Sequence, residues 1–252
     1  MHSSRIFFSE RNHARVVSTT LAGHVESILE ALELEYPAPL IMIAGGAGNF
    51  AGQYAALLTH LGTESIVPAA VEAGAVIIDG GSHVGIMQVM GQALLRHGQR
   101  RPLLGVAPTG LVTYPGRPSS ALTEELVSLD PHHSHFVLVE GNKWGCETEM
   151  MYALGRAIAR EKGALTLLAN GGSIALDEAL TTVRHGWPLL VIEGSGRLAD
   201  DVVRLWRDQA AQIADERLRE VVRRGRIVPF HIGASATALK QLILQLLGSE
   251  ES

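Results

Sequence analysis

Six times along this chain a short, unbroken run of apolar residues stops at a glycine or proline. The runs are 40–44 before Gly45-Gly46, 75–78 before Asp79-Gly80-Gly81, 103–107 before Pro108, 136–139 before Glu140-Gly141, 165–169 before Asn170-Gly171-Gly172, and 189–192 before Glu193-Gly194-Ser195-Gly196. A seventh is expected at 227–230. A strand with one wet face alternates apolar and polar residues, so continuous runs of this length suit strands buried on both faces. Helical periodicity fills the intervals at 65–73, 84–97, 147–160, 176–185, 198–223 and 236–247. This alternation predicts right-handed βαβ units in an α/β fold. Its doubly wound, mostly parallel sheet has about seven strands, with ligands bound beyond their carboxyl ends.

Composition narrows the function classes. The chain has 252 residues, 46% hydrophobic and only 5% aromatic, with 27 glycines; it can bury a sizeable core, built mainly from aliphatic side chains. One domain over 1–252 is expected, with 1–37 as an N-terminal extension and 225–252 supplying a last strand and helix. A net charge of −5 leaves no global positive field for nucleic acid. The local cluster Arg217, Arg219, Arg223, Arg224 and Arg226 is interrupted by Glu216 and Glu220 at helical spacing, the pattern of a solvated helix face. Cys146 is the sole cysteine, which excludes an internal disulfide and a cysteine-based zinc cluster and points to a reducing, cytoplasmic setting. No apolar run is long enough to predict a membrane span, and the N-terminus does not read as a signal peptide.

The segment 108–135 breaks the rhythm with Pro108, Pro115, Pro118 and Pro131, and reads as a long loop with a short helix near 123–127. Its His132, His133 and His135 invite a metal hypothesis, but no third converging ligand is identifiable and no metal is expected. Cys146, with no base in view, reads as a small buried residue.

Four glycine-rich strand ends should converge on one rim: Gly45-Gly46-Ala47-Gly48-Asn49, Gly80-Gly81-Ser82, Gly171-Gly172-Ser173 and Gly194-Ser195-Gly196-Arg197. Glycine lets backbone N–H groups approach a ligand, and a following helix N-terminus favours a phosphate. The stretch Asp79 to Gly85 is not the G-x-G-x-x-G fingerprint, and no Gly-Lys-Ser/Thr of a Walker A loop occurs, so the evidence is repetition at one edge rather than a single motif. Arg197 adds a planar guanidinium for a phosphate or carboxylate, with Asp200 and Asp201 expected to orient it.

These residues, in this order, resemble the SLOG superfamily, in particular the branch found in TRPM cation channels and in stand-alone prokaryotic proteins. The carriers are Gly45-Gly46 with Asn49-Phe50, Gly80-Gly81 with Gly85, and Gly105-Val106-Ala107-Pro108 with Gly110. Leu129-Asp130-Pro131 with His133 to Phe136, Gly145 with Glu149, Gly171-Gly172, and Gly194-Ser195-Gly196-Arg197 with Asp200 complete the set. The resemblance implies a Rossmann-like fold that binds ADP-ribose, an NAD-derived compound or a related signalling nucleotide, with no cofactor required. The ligand residues it implies, with their neighbours, are Gly45, Gly46, Asn49, Gly80, Gly81, Ser82, His83 and Gly85. They continue through Pro108, Thr109, Gly110, Glu149, Gly171, Gly172, Gly194, Ser195, Gly196 and Arg197. A sensor also needs an output, so a homo-oligomer or an effector protein is the expected partner.

A related branch, similar to the cytokinin-activating LOG phosphoribohydrolases, carries Pro-Gly-Gly-x-Gly-Thr-x-x-Glu. Here Asn170 to Glu178 places Glu178 on the glutamate, while Asn170, Ile174 and Ala175 replace Pro, Gly and Thr. The alternative function is therefore a nucleotide N-glycosidase in which Glu178, or else Glu147 or Glu149, stabilises an oxocarbenium ion. A second alternative is an oligomeric scaffold with a vestigial cleft.

Overall fold

The computed structural model describes residues 1–10, 12–46, 53–98, 101–117 and 126–248. In chain order the elements are β1 His2–Ser9, β2 Asn12–Thr19, α1 Val25–Leu32, β3 Leu40–Gly45, α2 Gln53–Leu61, a π-helical turn Gly62–Ile66 and α3 Val67–Ala73. Next come β4 Val76–Asp79, α4 Gly85–Arg96, β5 Leu103–Pro108, β6 Val112–Thr113, β7 Val127–Ser128, β8 His135–Val139 and α5 Thr148–Ala159. The chain continues with β9 Ala164–Ala169, α6 Ser173–Arg184, β10 Leu189–Glu193, α7 Arg197–Arg207, α8 Glu216–Arg224, β11 Ile227–His231 and α9 Ala236–Gly248.

The main sheet has nine strands in the order β1-β2-β8-β5-β4-β3-β9-β10-β11; β1 alone is antiparallel to its neighbour, and β6 pairs with β7 separately. All seven strands expected from the apolar runs are present. The two additional strands come from the segment read as an N-terminal extension. That hairpin was illegible because β1 is an edge strand: HSSRIFFS exposes most of its residues and carries no continuous apolar run. Within the sheet, β5-β4-β3-β9-β10-β11 reproduces the 3-2-1-4-5-6 order of a doubly wound dinucleotide fold. Its switch point lies between β3 and β9.

Burial on both faces explains the continuous runs. Ile41 and Ile43 of β3 join Ile77, Leu165, Leu167, Leu190 and Ile192 in a core covered by α2, α3, α4 and α9. Leu40 and Met42 point the other way, into the core beneath α1 and α5. Leu168, Leu189 and Val191 pack under α6, α7 and α8.

Two expected helices differ. The span 198–223 is broken after Arg207, and the chain restarts at α8, where the Asp215 side chain accepts hydrogen bonds from the N–H groups of Arg217 and Leu218, a strong N-cap. The helix expected near 123–127 ends in β7 at Val127, and its first residues lie outside the described ones. Among the described residues no helix is long and apolar enough to cross a membrane.

Candidate functional site

Register alone brings the first and third glycine pairs together. Gly45 of β3 lies beside Ala169 of β9, at the switch point. A Cβ on Gly45 would stand 2.6 Å from the Ala169 carbonyl oxygen, and one on Gly46 would stand 2.8 Å from Asn170 Oδ1, so only glycine permits this approach. A cavity of about 440 Å³ opens there, lined by both glycines, Gly80, Ser82, Trp144, Glu147, Gly172, Ser173, Glu178 and Arg197 among others. That is a normal size for a small-ligand site.

Each side of the cavity is held by a buried polar clamp. On the β4 side, Asp79 Oδ1 accepts from the Gly81 N–H at 2.7 Å and pairs with His133 Nε2 at 2.8 Å. His133 Nδ1 reaches Asp130 Oδ1 at 3.2 Å, and Asp130 Oδ2 pairs with His83 Nδ1 at 2.6 Å. Asp79, Asp130 and His133 are fully buried. Burial alone would push the His133 imidazole down, but the charge of Asp79 and the bond to Asp130 outweigh it and raise it to about 9. Burial likewise pushes Asp130 up, yet the bond and charge of His133 hold it below the usual range. His133 is thus an imidazolium shared by two carboxylates. Backbone bonds from His83 N–H to the Ser128 carbonyl at 2.7 Å and from Asp130 N–H to the Gly81 carbonyl at 2.9 Å zip the two segments together. The zipped segments present Gly80, Ser82 and Val127 to the cavity.

On the β9 side Asn170 adopts a left-handed conformation, φ 59°, and its N–H donates to Ser195 Oγ at 2.7 Å while its Nδ2 donates to the Ser195 carbonyl at 2.8 Å. Ser195 Oγ in turn donates to the Ile192 carbonyl at 2.6 Å. The turns after β9 and β10 are thereby locked as one unit, from which α6 and α7 start. Neither helix has a side-chain N-cap; in α7 the Ala199 N–H donates to the Asn170 carbonyl at 3.0 Å, while the N–H groups at the very start of α6 have no side-chain acceptor among the described residues. Arg197, the first residue of α7, is held at φ 52° with its guanidinium over Gly172; a Cβ on Gly172 would lie 2.9 Å from Arg197 Nη2.

The cavity also has an acidic part. Glu147 is buried, with Oε2 accepting from the Gly145 N–H at 2.8 Å, and burial pushes its carboxyl up. Glu178 is raised well above the ordinary carboxyl range, first by burial and then by the charges of Glu147, Asp79 and Asp177. Its side chain makes no hydrogen bond or ion pair with a described residue and meets the open space of the cavity.

Residues 38–240, most of the chain, match the family model described as "SLOG in TRPM, prokaryote". The chain belongs to the SLOG family. Its similar relatives include transient receptor potential cation channel subfamily M member 2 of Rattus norvegicus, 28% identical over 205 residues covering 68% of this chain and 14% of the relative. The trpm cation channel of Drosophila melanogaster is 29% identical over 205 residues, 70% of this chain and 10% of the relative. Subfamily M member 7 of Homo sapiens is 26% identical over 205 residues, 70% of this chain and 11% of the relative. The SLOG chain therefore spans a small part of the length of these curated relatives.

Of the residues expected at the ligand rim of this SLOG domain, Gly45, Gly46, Gly80, Ser82, Gly172 and Arg197 line the cavity, as does Glu178. Gly81 lies behind the wall against Gly105 and Phe136, His83 is turned to Asp130, and Ser195 is the buried strut under Asn170. Gly85, Pro108, Thr109, Gly110, Gly171, Gly194 and Gly196 shape the adjoining turns without lining the cavity. Asn49 lies outside the described residues. Glu149 is exposed on α5, and it is Glu147, two residues earlier, that faces the cavity. Asp200 and Asp201 do not orient Arg197: Asp200 accepts from the Gly194 N–H at 2.6 Å and Asp201 pairs with Arg204. Trp144 is a lining residue that sequence reading left out, and Ile174, noted there only as a departure from the LOG-type motif, lines the cavity as well. Position was the only available signal, Trp144 preceding the Gly145 turn and Ile174 standing in the first turn of α6.

Burial pushes the Cys146 thiol up, which argues against a thiolate nucleophile. Arg217 bonds Asp177 at 2.8 Å and Asp215 at 3.0 Å, and Arg223 bonds Gln209, so both are engaged by the protein itself.

Proposed function

We propose that this SLOG protein binds a phosphate-bearing, nucleotide-derived ligand of the ADP-ribose type in the switch-point cavity and acts as a sensor of it. The observation that carries this reading is the meeting of two side-chain-uncapped helix N-termini, α6 and α7, with the Arg197 guanidinium at one glycine-lined cavity. Unsatisfied N–H groups, helix dipoles and a guanidinium together favour an anion. Trp144 offers an aromatic face in the same cavity for a base. Occupancy is relayed to a second copy of the chain or to an effector protein. Calorimetry with ADP-ribose, NAD and nucleoside monophosphates, with chromatography of the same mixtures, tests the reading. Saturable binding without released base or ribose phosphate supports it; no binding by any of the compounds overturns it.

One observation favours hydrolysis as a second reading: Glu147 and Glu178 both line the cavity and both are held above the ordinary carboxyl range. A carboxyl whose ionisation is opposed suits protonation of the leaving base as the N-glycosidic bond breaks, a second carboxylate steadies the developing oxocarbenium ion, and water adds to that ion to complete the hydrolysis. Turnover in the chromatographic assay, abolished in Glu178→Gln, would establish it.

A further inference from the structure

β1 closes one edge of the nine-stranded sheet: it pairs with β2 on one side and, among the described residues, with no strand on the other. The backbone N–H and C=O groups along that outer side are a template for another strand. Natural edge strands are commonly guarded by Pro, Lys or extreme shortness, yet the eight residues His2–Ser9 contain neither Pro nor Lys. Ile6 is turned into the core, so Arg5 and Phe7 share the opposite face, where Phe7 is 59% exposed and tilts against His13 with 5.6 Å between ring centroids. Phe7 pairs with His13 but Ser9 pairs with Asn12, so one extra residue on β1 shifts the alternation and brings the next side chain, Glu10, round to the face of Arg5 and Phe7. Arg5 and Glu10 are both exposed, and neither side chain makes an ion pair or hydrogen bond with a described residue.

We propose that β1 is a docking edge for a second copy of this chain, which lays its own β1 antiparallel alongside about a two-fold axis at Phe7. Charge complementarity selects this occupant and this orientation. The axis sets Phe7 beside its symmetry mate, and it sets each Arg5 opposite Glu10 of the other copy once the extra residue is counted. Both exposed rings are then covered and both lone charges are paired, twice over. An axis at Arg5, or an in-register parallel arrangement, sets Arg5 against Arg5 instead, and an axis at Ser4 leaves Glu10 without a partner. A two-fold contact uses the same strand of both copies and closes as a dimer, with the two sheets joined into one. A strand pair of this length lies at the low end of specific interfaces, below roughly 1,200 Å², so a dissociation constant of about 1–100 µM is expected.

The test is sedimentation velocity on the full chain at concentrations from about 1 to 200 µM, where a monomer–dimer equilibrium of that strength is expected. Arg5→Glu and Glu10→Arg should each weaken the dimer at least tenfold, because each reversal sets like charges together at two places. The double variant Arg5→Glu, Glu10→Arg exchanges the charges and should return to within threefold of wild type, which a merely damaged strand would not do. Both residues are exposed, so the thermal midpoints of the variants check that the fold is intact. A chain that stays monomeric at about 200 µM, a dimer indifferent to either reversal, or an exchange that fails to recover affinity overturns the inference. The pairing uses none of the cavity's chemistry, so its failure leaves the nucleotide reading intact, and the failure of nucleotide binding leaves the pairing standing.

Discussion

The Nε2 of His133 stands 2.8 Å from Asp79 Oδ1, and neither side chain touches solvent. These residues lie 54 positions apart, one at the end of β4 and one just before β8, and their pairing ties together the two segments that wall one side of the cavity. Breaking a buried pair by removing one partner strands a charge in a poorly solvating interior, at a cost of about 3–5 kcal/mol. His133→Asn should lower the free energy of unfolding by about that amount, measured by urea denaturation at pH 6. A loss below about 1 kcal/mol would show that the pair contributes no more than an exposed one.

The same group gives stability a pH dependence of known sign. His133 is raised in the folded state from 6.5 to about 9, so its contribution is fully present below pH 6.5 and is lost as pH rises through 9. The stability gap between wild type and His133→Asn should therefore be widest below pH 6.5 and narrow steadily toward pH 9. A constant gap across that range would contradict the imidazolium assignment. His135 behaves oppositely. Burial and then the charge of Arg15 hold it down at about 4, so it withholds stability as pH falls from 6.5 toward 4.

Gly91 of α4 lies directly over this pair's second carboxylate: a Cβ there would collide with Asp130 Oδ1 and crowd His132. Gly91→Ala should gain helix propensity of about 1 kcal/mol yet lose stability overall, since overpacking costs about 1–3 kcal/mol and displacing Asp130 disturbs its bonds to His133 and His83. A lower thermal midpoint than wild type is the expected result. A raised midpoint would mean that helix α4 moves away freely.

Arg197 has no ion pair among the described residues, lies exposed at the cavity mouth and is held at a positive φ. Removing it costs the fold little. Arg197→Ala should melt within a few degrees of wild type while weakening ADP-ribose binding at least tenfold, as loss of a charge-assisted hydrogen bond of about 1.5–3 kcal/mol requires. Unchanged affinity in the folded variant would remove Arg197 from the site.

Much of this molecule was readable because parallel strands buried on both faces leave unbroken apolar runs, and because their ends need glycine where two backbones nearly touch, as at Gly45 and Ala169. The hairpin β1–β2 was not readable, since β1 is an exposed edge strand and β2, although paired on both sides, still mixes exposed and buried residues instead of carrying a continuous apolar run. Nor was the choice of Glu147 over Glu149: both sit at the start of α5, and only the packing of that helix on the sheet decides which carboxyl turns inward.

By itself, then, the sequence determined the α/β class, the succession of strands and the glycine positions at the switch point, all consequences of local burial and backbone sterics. Tertiary structure decided which charges meet. Asp79, His133 and Asp130 become one buried unit, Arg197 stands at the rim without an ion pair among the described residues, and Glu178 lines the cavity, because electrostatic partners are set by distance through the fold and not by spacing along the chain.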